Sequence, residues 1–114
     1  MAINFATTTP KKLLATFKKA IDDKKVVTWA YDSDGDFYHT PPQWKDKAYL
    51  RPTVFEGQRL TLNYFTRTTT TASADYSVYH GRFIESMLTH CDELFTEGSA
   101  TAMPTNRDTV RLAS

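Results

Sequence analysis

The spacing of apolar residues changes period twice along this chain: helical near the N-terminus, alternating through the middle, and helical again in the second half. A helix repeats its face about every 3.6 residues and a strand every second residue. That order therefore confines the fold to a sheet built between two helices. The first helical segment is Pro10–Lys25. Thr9-Pro10 is a start signal, a hydroxyl beside free backbone N–H groups followed by a ring already at helical φ. Leu13, Leu14, Phe17, Ala20 and Ile21 share an arc of about 120°. Lys11, Lys12, Lys18 and Lys19 fall on the opposite arc.

In the middle, Val26–Tyr31 is β-branched and aromatic and runs into Asp32-Ser33-Asp34-Gly35-Asp36, a turn composition. Val27, Trp29 and Tyr31 would share one side of that strand. Phe37-Tyr38-His39 can return beside it before Pro41-Pro42 interrupts the backbone ladder. The clearest hairpin joins Lys47–Phe55 to Gln58–Thr66 through Glu56-Gly57. Along its second arm Leu60, Leu62 and Tyr64 alternate with Arg59, Thr61 and Asn63, the pattern of a half-buried strand. Pro52 in the first arm points to an edge or a bulge. Ala74–Tyr79 reads as a further strand, or else as the start of a longer second helix capped by Asp75.

The second helix is expected over Arg82–Phe95, with Phe83, Ile84, Met87, Leu88, Cys91, Leu94 and Phe95 in an arc of about 140°. Gly98 would close it as a C-terminal cap, and Ser99–Met103 would add a last short strand. The expected class is α+β: an antiparallel sheet of about four to five strands with two amphipathic helices packed on one face. The chain, 114 residues long, fits one domain, with residues 1–9 as an N-terminal lead-in and 104–114 as a surface tail.

Composition narrows the chemistry. A net charge of +1 and a pI near 7.9 give no global pull toward nucleic acid or anionic membrane. One cysteine excludes an internal disulfide framework. No apolar run is long enough to cross a bilayer, and the first residues lack a basic start and apolar stretch, so a soluble, cytoplasmic protein with no membrane partner is expected. The phosphate-binding glycine motifs, H-E-x-x-H and G-x-S-x-G are all missing. Counted from Asp32 as a calcium loop, positions six and twelve are Phe37 and Gln43 in place of Gly and Glu, so the acidic run reads as a polar turn. His39, His80 and His90 have no metal-ligand spacing. No metal or other cofactor is expected, and Cys91 reads as core.

Two surfaces stand out. Trp29, Tyr31, Tyr38, His39, Trp44 and Tyr49 gather in one stretch, a composition suited to an interface. The leading expectation is a protein-interaction or self-association module, with another protein or a second copy in a homodimer as partner. A small enzyme or ligand binder is the alternative, with His80 as acid or base, Arg82 holding an anion and Tyr79 donating. The second surface is the lysine face: residues 1–25 carry six lysines and two aspartates, net +4, against −3 for the remainder. Lys11, Lys12, Lys18 and Lys19 could thus serve an anion or nucleic-acid adaptor, the weaker expectation given the acidity elsewhere.

Overall fold

Alternation and helical period divide the apolar side chains between a six-stranded antiparallel sheet and two helices that cover one of its faces. The computed structural model describes residues 1–66, 73–105, 107 and 108. In chain order the elements are β1 (Ala2–Ala6), α1 (Pro10–Asp22), β2 (Trp29–Tyr31), β3 (Phe37–His39), β4 (Ala48–Phe55), β5 (Arg59–Thr66), α2 (Ser73–Cys91), a 3-10 turn (Asp92–Leu94) and β6 (Glu97–Ala100). The strands lie in the order β2-β3-β4-β5-β1-β6. The α+β class holds, with one strand more than the upper expectation.

The additional strand is β1. Residues 1–9 are not a lead-in: Ile3 and Phe5 pair with Leu62 and Leu60 on one side and with Ala100 and Gly98 on the other. Only two large apolar residues mark the strand's inner face, too few to give a period. Of the two readings of Ala74–Tyr79, the longer helix holds: these residues are the first part of α2, which begins at Ser73 and not at an Asp75 cap. Helical spacing wins there because it aligns Tyr76, Tyr79 and His80 with Phe83, Met87 and Cys91 in one inward stripe. Leu88 lies off that stripe and is 53% exposed.

The central hairpin forms as its alternation requires. Gln58 N–H donates to Phe55 O at 3.0 Å, and Gly57 takes φ +70°, the conformation that its place in the turn demands. Pro52 lies within the sheet, yet β3 meets β4 only at Phe37–Leu50, so the outer edge of β4 is locally free at the proline. Gly98 caps no helix. It sits in β6 over Phe5, where a Cβ would come within 3.0 Å of the ring.

Leu13 and Phe17 of α1 and Phe83 and Met87 of α2 close over Ile3, Phe5, Phe37, Leu50, Leu60 and Leu62 from the sheet, all buried. The C-terminal segment is not wholly a surface tail. Asp108, whose side chain is 0% exposed, pairs with the Met1 α-amino group at 2.9 Å. It also accepts from Tyr64 N–H at 3.0 Å and Asn63 Nδ2 at 2.8 Å. β1 pairs with β5 only as far as Asn63, so Asp108 satisfies the next backbone donor beyond the strand's end. The rest of the expected tail, residue 106 and residues 109–114, lies outside the described residues.

Candidate functional site

With both helices on one side of the sheet, the residues that alternate with the core ones face away from them. The hairpin register sets Tyr49, Arg51, Thr53 and Phe55 of β4 opposite Phe65, Asn63, Thr61 and Arg59 of β5, and β1 adds Asn4 opposite Thr61. This helix-free face combines cations with rings. The Arg59 guanidinium lies 4.0 Å from the centroid of the Phe55 ring, and that of Arg107 lies 5.4 Å from the same ring. Arg51 stands 4.7 Å from the centroid of Phe65, which stacks on Tyr49 with ring centroids 5.1 Å apart and planes 7° from parallel.

The arginines are held differently. Arg51 makes a two-pronged contact with the buried Asp36 carboxylate, both bonds at 3.0 Å, and that hydrogen-bonded partner raises its already high pKa. Arg59 donates through Nε to Thr61 Oγ1 at 3.1 Å, and Thr61 in turn donates to Asn4 Oδ1 at 2.8 Å. Among the described residues, neither Arg59 nor Arg107 has a carboxylate at ion-pair distance.

Two cavities adjoin on this face. One of about 240 Å³ is bounded by Phe55, Arg59, Thr61 and Thr105, the other of about 340 Å³ by Arg51, Thr53 and Phe65; Asn63 and Arg107 line both. Asn63 is 3% exposed. Its Nδ2 donates to Thr105 Oγ1 at 3.1 Å and to Asp108. A carboxylate only accepts, so the amide cannot be flipped, and Oδ1 is turned from Asp108, enclosed and with no hydrogen-bond partner among the described residues. Burial works against the charge on Asp108. Its donors, Thr105 N–H, Asn63, the α-amine and Tyr64 N–H, outweigh that penalty and hold its pKa below the ordinary carboxylate value.

The residues singled out in the sequence are divided by this geometry. Tyr38 and Tyr49 lie on the helix-free face, whereas Trp29 and His39 are turned to the helices and are each 1% exposed. They stack on one another 4.6 Å apart, so neither contributes to a surface of the chain. Alternation in a three-residue strand, with Trp29 opposite His39, puts both on the same side. Tyr31 is half-buried and donates to Asp22 Oδ1 at 2.6 Å, which raises its pKa. Trp44 packs against the core, and its carbonyl accepts the Tyr79 hydroxyl.

Tyr79, His80 and Arg82 do not converge. Tyr79 is fully buried and also donates to Ala48 O at 3.1 Å, while Arg82 is exposed. His80 Nδ1–H donates to Tyr76 O at 2.7 Å, and burial lowers its pKa, as it does for His39. Burial likewise pushes the Cys91 thiol up to about 11, which removes thiolate character. Lys11 and Lys19 are exposed and pair with Glu56 and Asp23, and Lys12 is also exposed; Lys18, half-buried, lies 5.2 Å from the Tyr31 ring. The oxygens of Asp32, Asp34 and Asp36 come within 4.8 Å of one another. Asp32 nevertheless accepts from the Asp34 and Asp36 amides, and Asp36 is taken by Arg51, as a self-capped turn requires.

The arginines, Phe55, Phe65 and Asn63 escaped the motif search. Their signal lies in the hairpin register, which pairs Phe55 with Arg59 and Arg51 with Asn63; Arg107 has no local signal, since the docking of Asp108 places it. Comparison with protein-family models, curated proteins and solved structures finds no match to this chain.

Proposed function

We propose that the protein is a binding module that holds an anionic partner on the helix-free face of its sheet. The observation that carries this reading is the pair Arg59 and Arg107: two guanidiniums over one half-buried ring, without a carboxylate at ion-pair distance among the described residues. A guanidinium offers a planar fork of donors to phosphate or carboxylate. The expected aromatic surface is kept in part, with Tyr38 and Tyr49 joined by Phe55 and Phe65. The lysine-bearing helix α1 packs on the other face of the sheet, with Lys11 reaching Glu56 of the hairpin turn, so the two basic surfaces are separable by substitution. Retention on immobilised heparin at low salt is the test. Arg59→Gln/Arg107→Gln is expected to elute several-fold earlier in salt, and Lys11→Gln/Lys12→Gln to elute with the parent. The reverse order would move the site to α1.

A second reading is pairing with another copy along β6. That strand ends the sheet, and all four of its residues are exposed. An open edge is a template for another strand. Sedimentation is expected to show mass rising with concentration, and Ala100→Pro, which removes an N–H directed away from β1, to abolish the rise by blocking the ladder. A monomer at every concentration overturns this second reading.

A further inference from the structure

We infer that the anionic partner of the helix-free face is a single strand of nucleic acid, with phosphates at Arg59 and Arg107 and a base against the Tyr49–Phe65 pair. The inference rests on the reading above and adds the identity of the ligand.

The face is divided along the hairpin. At the turn end, Phe55, Arg59 and Arg107 form a cationic region, and neither guanidinium meets a carboxylate among the described residues. At the other end, Arg51 is paired with Asp36, so among the described residues the flat Tyr49–Phe65 stack has no unpaired guanidinium beside it. A nucleotide has the same division, an anionic phosphate joined to a neutral planar base. An acidic peptide would occupy the cationic end and leave the ring end without a matching group.

Between the two ends lies Asn63, which with Arg107 lines both cavities. Its amide nitrogen is committed to Thr105 and Asp108, which fixes the side chain at the boundary between the two ends. Length favours a strand over a free nucleotide. Arg59 and Phe65 stand six residues apart on β5, about 20 Å at strand rise. One nucleotide does not reach that far, and a few in succession do. Aromatic side chains with an arginine-lined track are the usual means by which proteins hold single strands.

The test uses the full chain and fluorescence anisotropy with four probes: a twelve-nucleotide oligodeoxycytidine, an abasic strand of equal charge, a twelve-residue polyglutamate and cytidine monophosphate. The oligodeoxycytidine is expected to bind about tenfold more tightly than the abasic strand, from the stacking of one base. Phe65→Ala should remove that difference, and Phe65→Leu, which keeps apolar volume without a flat ring, should do the same if the alanine variant fails to fold. Arg59→Gln should reduce the slope of log K against log salt by about 0.7, one single-strand phosphate contact. Equal binding of the abasic strand, or tighter binding of polyglutamate, overturns the nucleic-acid assignment and leaves anion binding standing. Cytidine monophosphate binding as tightly as the strand overturns the strand. Failure of all four probes to bind overturns both readings.

Discussion

Asp108→Ala is expected to lower stability at neutral pH by about 3–5 kcal/mol, the usual cost of removing one partner from a buried, hydrogen-bonded charge. The carboxylate sits where β1 stops pairing with β5. It gathers Tyr64 N–H at 3.0 Å, Asn63 Nδ2 at 2.8 Å, Thr105 Oγ1 at 3.0 Å and the α-amine at 2.9 Å. Alanine removes the acceptor that these donors share in a site that is 0% exposed; Asn63 Nδ2 keeps Thr105 Oγ1 and the α-amine keeps Thr101 Oγ1, while the Tyr64 N–H loses its carboxylate. Asp108→Asn keeps the shape but not the charge, and should lose less. The pH dependence has a definite sign. Because the folded pKa lies below the ordinary value of 3.8, the unfolded chain takes up the proton first. The contribution of Asp108 is present above that value and is lost as pH falls through the folded pKa. Urea unfolding between neutral pH and pH 3 should show an acid loss in the parent that is reduced in Asp108→Ala. Curves that coincide at neutral pH would show that the carboxylate holds nothing.

That same residue marks how far the sequence could be read. Local patterns were legible wherever one face of an element is buried and the other is not. The α1 stripe of Leu13, Phe17 and Ala20 and the alternation of Leu60, Leu62 and Tyr64 both appear as expected. The Glu56-Gly57 turn fixed the register between them, and with it the face on which Arg51, Arg59 and Asn63 stand. What could not be read was long-range. β1 is a strand only because β5 and β6 flank it, and Asp108 is buried only because the chain returns across some forty residues to Asn63 and Tyr64. β5 is accordingly enclosed on both faces where alternation suggested one, with Thr61 and Asn63 buried beside Leu62. The aromatic cluster was divided for a related reason. Trp29 and Tyr38 are near in sequence, but the register of a short hairpin sends them to opposite sides of the sheet.

The helix stripe gives the second large effect, and it separates two residues that periodicity alone places together. Phe83 and Leu88 both fall in the apolar arc expected for the second helix. In the folded chain Phe83 is fully buried, and four rings surround it: Phe17 and Trp29 at 5.0 Å, Phe37 at 5.5 Å and Phe5 at 6.1 Å. It joins α2 to α1 and to β1, β2 and β3, so no single neighbour can move to fill its place. Phe83→Ala is therefore expected to cost about 3–5 kcal/mol, the transfer term plus the cavity left behind. Leu88 is 53% exposed, and Leu88→Ala should cost less than about 1 kcal/mol because little area returns to water and no cavity forms. Denaturant midpoints for the two variants provide the comparison, read with the slope unchanged. Similar losses would mean that α2 is rotated from the orientation in which Tyr79, Phe83 and Met87 face the sheet. Such a rotation would undo the division of the molecule into a helix-covered face and an arginine-bearing one.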